Sequence, residues 1–144
     1  MLTNLVTNNP KSGQNSGFSL IELLIALAIA AIITSIALPS YTNFVERSKM
    51  RTAQADLVAL TVNIENEYQR TLVYPSIADS VDLSSRYTGW NPTSDDFDYS
   101  AVSAATGYTI TATGKNSLAG CTLTVNANNA RTATGCPQSS GDWI

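Results

Sequence analysis

The chain has 144 residues, enough for one domain and one further element, with a net charge of −3 and 13% charged side chains, about half the usual share. It contains no histidine, which excludes Ser-His-Asp and Cys-His catalysis and His-ligated metals. The mildly acidic balance argues against sequence-independent nucleic-acid binding driven by phosphate neutralisation.

Residues 1–17 are polar, rich in Asn, Ser and Gly, with Lys11 as the one charge. Such a stretch cannot bury a core and reads as a leader.

Residues 18–38 are apolar on every helical face, and Glu22 is their one ionisable side chain. As a helix, at ~1.5 Å per residue, this segment is about 30 Å long, the thickness of a bilayer core. Pro39 follows and is expected to kink or end the helix. A carboxylate in such a helix costs roughly 2.5–3.5 kcal/mol at the bilayer centre and less near an end. Two readings of Glu22 stand: hydration near the membrane surface, or pairing with a cation. A cut between Gly17 and Phe18 would supply that cation, a new amine four residues from Glu22.

Residues 40–72 are amphipathic. Met50, Ala53, Leu57, Leu60, Ile64 and Tyr68 recur at three- and four-residue steps and share one helical face. Ala55, Val58, Ala59 and Val62 form a second, milder stripe. Two stripes suggest a helix covered by its own domain on one side and by neighbouring subunits on the other. The alternative is that these small residues merely favour helix. Tyr74-Pro75 is expected to stop the helix.

Residues 76–96 show no period and read as a long connection. Beyond them, Phe97–Val102, Tyr108–Thr113 and Cys121–Val125 alternate with period two, separated by Gly107, Gly114, Gly120 and Asn128-Asn129. That pattern predicts an antiparallel sheet. The fold class is therefore α+β: a long N-terminal helix on a small antiparallel sheet.

Cys121 and Cys136 are the two cysteines. Redox or metal chemistry is one reading of such a pair. Without a CxxC motif, and after a membrane segment, a structural disulfide in an oxidising compartment is the better one. Asp95, Asp96 and Asp98 are the acidic cluster of the second half and could offer hard oxygen ligands to Ca²⁺. They lack EF-hand spacing, and a solvated loop before the first strand is the favoured reading. No cofactor or metal is expected. No nucleophile is paired with a base, so the chain reads as non-enzymatic.

The run Gly17-Phe18-Ser19-Leu20-Ile21-Glu22-Leu23-Leu24, followed by an apolar helix, resembles the prepilin processing motif of type IV pilins and pseudopilins. Pro39-Ser40-Tyr41, the amphipathic helix, the Tyr74-Pro75 stop and the C-terminal cysteine pair resemble the same family, closest to PilE-type minor pilins. The leader is long for this class, and its lysine stands six residues before the junction.

The resemblance implies three segments: a leader at 1–17, a transmembrane and filament-core helix at 18–39, and a periplasmic or extracellular globular domain at 40–144. It implies that a prepilin peptidase cuts between Gly17 and Phe18 and methylates the Phe18 amine. Glu22 would neutralise the N-terminus of an adjacent subunit, and Pro39 would sit at a helix kink. Cys121 and Cys136 would bracket a surface loop. The implied function is a structural subunit of a pilus for twitching motility, adhesion or DNA uptake. Its partners would be other pilin subunits and the pilus assembly platform, with the inner membrane as host before assembly. No specific nucleic-acid site is evident.

Two rivals share some of these features. A type II secretion pseudopilin has the same motif and helix, and a secreted or helix-tethered binding domain would also carry an N-terminal apolar run. Counting Lys11 against Arg47, Lys49 and Arg51 would place the C-terminal domain in the cytoplasm. The cysteine pair and the resemblance place it in the periplasm.

Overall fold

A computed structural model of the chain describes residues 17–137 and 139–143. The chain divides into two units, Met1–Ala37 and Leu38–Ile144. Helix α1, Leu20–Thr71, contributes residues to both.

In the first unit every described residue is helical from Leu20 onward, and every side chain is exposed. The hydroxyls of Thr34 and Ser35 donate to the carbonyls of Ala30 and Ile32, each at 2.7 Å. Their polar groups are thus satisfied within the helix, as an apolar surrounding requires.

The second unit is a helix lying on a four-stranded sheet. Helical assignment runs through Pro39, so the proline does not end α1. The helix stops instead at Leu72, whose φ of 58° is left-handed, with its N–H bonded to the Tyr68 carbonyl at 2.6 Å. Termination therefore falls two residues before Tyr74-Pro75.

Strands β1 (Phe97–Ala104), β2 (Gly107–Gly114), β3 (Thr122–Asn126) and β4 (Arg131–Thr134) form an antiparallel meander in that order. Ala101 faces Ile110, Ile110 faces Val125, and Leu123 lies between Ala112 and Ala133. These side chains form one buried cluster with Met50, Ala53, Leu57, Leu60 and Ile64 of α1. Full burial of each large aliphatic here is worth about 1.5–3 kcal/mol.

The fourth strand was not expected. It is four residues long, and its one buried side chain is Ala133. The turn before it is built by Asn126, whose side-chain oxygen accepts from the N–H of Asn128 and of Ala130, both at 3.0 Å. Asn129 takes the left-handed conformation between them, with φ 56°.

The stretch 76–96 is more ordered than a plain connection. Ile77 forms a bridge with Ser103 on the outer side of β1. Helix α2, Leu83–Arg86, is capped by Asp82, which accepts from the N–H of Ser84 at 3.0 Å. The remainder is fixed by Asp56 of α1, which is 7% exposed. One of its carboxylate oxygens accepts from Thr93 N–H (3.0 Å), Ser94 N–H (3.1 Å) and Tyr99 Oη (2.8 Å). Its backbone carbonyl accepts from Trp90 Nε1 at 2.8 Å.

Candidate assembly helix and C-terminal loop

The start of α1 holds the residues singled out at the N-terminus. Gly17 and Phe18 are exposed, Phe18 at 80%, and a side chain added at Gly17 would meet nothing within 4 Å. The N–H groups of Glu22 and Leu23 bond to the Ser19 carbonyl at 3.0 and 3.2 Å, so Ser19 opens the helix. Glu22 then lies in the first turn, where the helix dipole favours a negative charge. Ser19-Leu20-Ile21-Glu22 also has the spacing of a capping box, a signal the sequence reading passed over. Glu22 makes no ion pair among the described residues. The described residues of the first unit thus present a largely apolar surface with one carboxylate near its described start.

The two stripes of α1 separate cleanly in the second unit. Met50, Ala53, Leu57, Leu60 and Ile64 are fully buried, and Tyr68 is half-buried, stacked on Tyr74 at 4.3 Å between ring centroids. Ala55, Val58, Ala59 and Val62 are all exposed.

Cys121 and Cys136 form a disulfide, with Cα atoms 4.2 Å apart across 15 positions of sequence. Close backbone approach makes it possible. Gly135, at φ 67°, lies so near the Gly120 carbonyl that any side chain there would collide with it. Cys121 is fully buried, with its sulfur 4.0 Å from Met50 Sδ on α1. Beyond Cys136 the chain returns to β4. Ala133 N–H donates to the Gly141 carbonyl at 2.8 Å, and Trp143 Nε1 donates to the Thr132 carbonyl at 3.1 Å. The Arg131 guanidinium lies 4.8 Å from the Trp143 ring centroid.

The aspartates weighed as calcium ligands are not gathered. Lys49 takes Asp96 at 2.9 Å and Lys115 takes Asp98 at 2.8 Å. Among the described residues no group of three or more candidate ligands could hold a metal ion. An open cleft of about 550 Å³ lies between α1 and α2, lined by Asn63, Asn66, Glu67, Arg70 and Arg86. Arg86 bonds both oxygens of Glu67, at 3.0 and 3.3 Å, and Tyr87 Oη joins them at 3.1 Å.

Several tyrosine hydroxyls are held against carboxylates. Tyr99 is pushed well above its ordinary pKa, first by burial and then by its bond to Asp56. Tyr108 is raised by burial and by Glu65, which it reaches at 3.0 Å, and Tyr74 donates to the same Glu65 oxygen at 3.2 Å.

An exposed apolar helix with a single carboxylate thus leads into a disulfide-closed α+β domain. A family model described as type IV minor pilin ComP, DNA uptake sequence receptor, matches residues 39–136. A second, the prokaryotic N-terminal methylation motif, matches residues 13–38. The chain belongs to the type IV minor pilin family.

The chain is 46% identical over 52 residues to the type IV major pilin protein PilA of Myxococcus xanthus, covering 36% of this chain and 22% of that protein. It is 32% identical over 74 residues to a type IV major fimbrial protein FimA of Dichelobacter nodosus, covering 51% and 42%. The matched stretches thus span less than half the length of either relative. A solved type IV pilin from Shewanella oneidensis is similar with a TM-score of 0.47 at 18% identity, covering 69% of this chain and 98% of the other.

Proposed function

We propose that this chain is a minor subunit of a type IV pilus, matured by cleavage between Gly17 and Phe18 and assembled through its N-terminal helix. One observation carries the reading: Glu22 stands five residues after Gly17 as the sole ionisable side chain of the apolar segment 18–38, whose side chains through Ala37 are all exposed. Before assembly, residues 18–38 lie in the inner membrane with the domain in the periplasm, where the disulfide is stable. Assembly moves the helix from lipid to a bundle of like helices. Both surroundings are apolar, so specificity comes from packing and from charge.

Cleavage creates a cation at Phe18, and prepilin peptidase methylates it. Glu22 neutralises that amine on an adjacent subunit, because an unpaired charge in the filament core would be costly. Pro39 lacks the N–H that would bond the Ser35 carbonyl, so any bend of α1 is centred there. Mass spectrometry of sheared pili tests the reading. Peptides beginning at a methylated Phe18 are expected. Retention of residues 1–17 in functional filaments, or absence of the chain from them, would overturn it.

DNA uptake is the role favoured by the description of the matching family. Residues 40–144 carry seven Lys and Arg against ten Asp and Glu. Lys49, Arg86 and Lys115 are ion-paired. Arg47, Arg51, Arg70 and Arg131 are exposed and free of ion pairs among the described residues; Arg70 and Arg131, which line neighbouring clefts that share Asn66, are the pair taken as phosphate-contacting candidates. Two contacts predict a salt slope of about −2 in log affinity against log salt for duplex DNA. Binding unchanged in the double variant Arg70→Gln, Arg131→Gln would exclude this assignment.

A further inference from the structure

The sheet face turned away from α1 carries six threonines on three neighbouring strands: Thr111 and Thr113 of β2, Thr122 and Thr124 of β3, Thr132 and Thr134 of β4. The register sets them in two rows. Thr111 stands beside Thr124 and Thr124 beside Thr132; Thr113 stands beside Thr122 and Thr122 beside Thr134. Ala112, Leu123 and Ala133, which alternate with them, are buried in the core, so all six side chains point the other way. Each is exposed or half-buried.

Neighbouring strands lie about 4.7–4.9 Å apart, and alternate residues of one strand about 6.6 Å apart. The threonines therefore repeat in two directions, each with one hydroxyl and one methyl. Their β-branch restricts χ1 and stiffens the array. Twist of about 20–25° per strand lifts the corners of so small a patch by only about 1 Å.

None of the six is charged, whereas a face kept for solubility alone mixes charges of both signs. Asp98, next to Thr113 in its row, is paired with Lys115 at 2.8 Å. Thr124 and Thr132 bond each other at 2.7 Å. The hydroxyls of Thr111, Thr113, Thr122 and Thr134 make no hydrogen bond to another described residue. Each can donate one bond and accept two. A matching partner is uncharged, offers donors and acceptors alike, and repeats in two dimensions at these spacings. A folded protein or a flexible glycan lacks such a repeat. Ordered water has it: the oxygen repeats on the prism face of hexagonal ice lie close to both spacings.

We propose that this threonine face binds ice, its hydroxyls and methyls holding a layer of ordered water that merges with the crystal. The proposal is independent of the pilus reading and uses none of the residues assigned there.

Growing ice excludes ordinary solutes, so uptake into ice is the readout. Ice is grown slowly from a solution of the full-length chain in non-ionic detergent, and the fraction in the crystal is measured by immunoblot. The parent is expected in the ice at a level at least fivefold above Thr124→Tyr and Thr113→Tyr, each of which lays a ring across one row. Tyrosine suits a strand, and the melting temperature of each variant reports whether the fold is kept. One folded variant suffices for the comparison. Ser84→Tyr on the exposed side of α2 adds the same bulk elsewhere and is expected to enter ice like the parent. Exclusion of the parent, or equal uptake of the parent and a folded array variant, overturns the proposal. Retention of the parent on microcrystalline cellulose with exclusion from ice would assign the face to a polysaccharide and overturn it equally.

Discussion

Tyr99 Oη donates to Asp56 Oδ2 at 2.8 Å, joining the first strand to the middle of the long helix across 43 positions of sequence. The same oxygen receives the N–H groups of Thr93 and Ser94, so one buried carboxylate fixes helix, connection and strand together. Asp56→Ala would remove the acceptor from the buried Ser94 N–H and the partly buried Tyr99 hydroxyl, while the exposed Thr93 can turn to water. The expected loss is about 2 kcal/mol or more, at 1–3 kcal/mol per stranded group. Urea unfolding of the purified chain measures it, and a loss under 1 kcal/mol would show that the hub is dispensable.

The buried phenols set an alkaline limit. Tyr99 and Tyr108 have folded pKa values raised above the ordinary value of about 10, chiefly by burial. Above that pH the unfolded chain releases protons that the folded chain keeps, which favours unfolding. Stability contributed by these hydroxyls is therefore complete below about pH 10 and declines as pH rises further. The melting temperature should fall steeply above that point, and Tyr99→Phe should flatten the fall.

Legibility in the sequence followed periodicity. The first three strands announce themselves by alternation, because each sends two or more large side chains inward. The fourth sends only Ala133, and its turn depends on the Asn126 side chain, so no pattern marks it. Asp56 was illegible for a related reason. A polar residue beside Ala53, Leu57 and Leu60 reads as the wet side of an amphipathic helix, and only the arrival of residues 93–99 makes it interior. The order of 76–96 was hidden because polar bonds to Asp56 hold it. The N-terminal motif was the most readable feature. Its chemistry is carried by the order of a few residues along one helix and requires no folded domain to be seen.

Replacing Glu22 by Ala removes the one charge from the apolar helix and makes insertion easier, not harder. The variant should remain in the membrane fraction at normal levels while its share in sheared pili drops. Quantitative immunoblots of both fractions decide this, and normal filament content of Glu22→Ala would remove the residue from assembly.

Gly17→Ala should slow maturation, and larger residues should block it. A side chain at this position meets nothing within 4 Å among the described residues, so on the proposed reading a delay is ascribed to the peptidase's cleft. Pulse-chase comparison of precursor and mature bands provides the measurement, with an unchanged rate as the contrary result.

Reduction of the Cys121–Cys136 bond should destabilise the domain by about 3 kcal/mol, as expected for a closed loop of this size. Cys121→Ser with Cys136→Ser should lower the melting temperature by several degrees or more and leave membrane insertion intact. A native melting temperature in the double variant would show that the crosslink carries no stability.

Each outer margin of the sheet is interrupted once by the chain itself, Ile77 against Ser103 on one side and Gly141 against Ala133 on the other. Bare margins would invite strand-by-strand stacking of one molecule on the next, the route to amyloid-like fibres. A subunit that assembles as proposed has particular need to close that route. In such an assembly ordered growth is left to the rods, and the sheets stay apart.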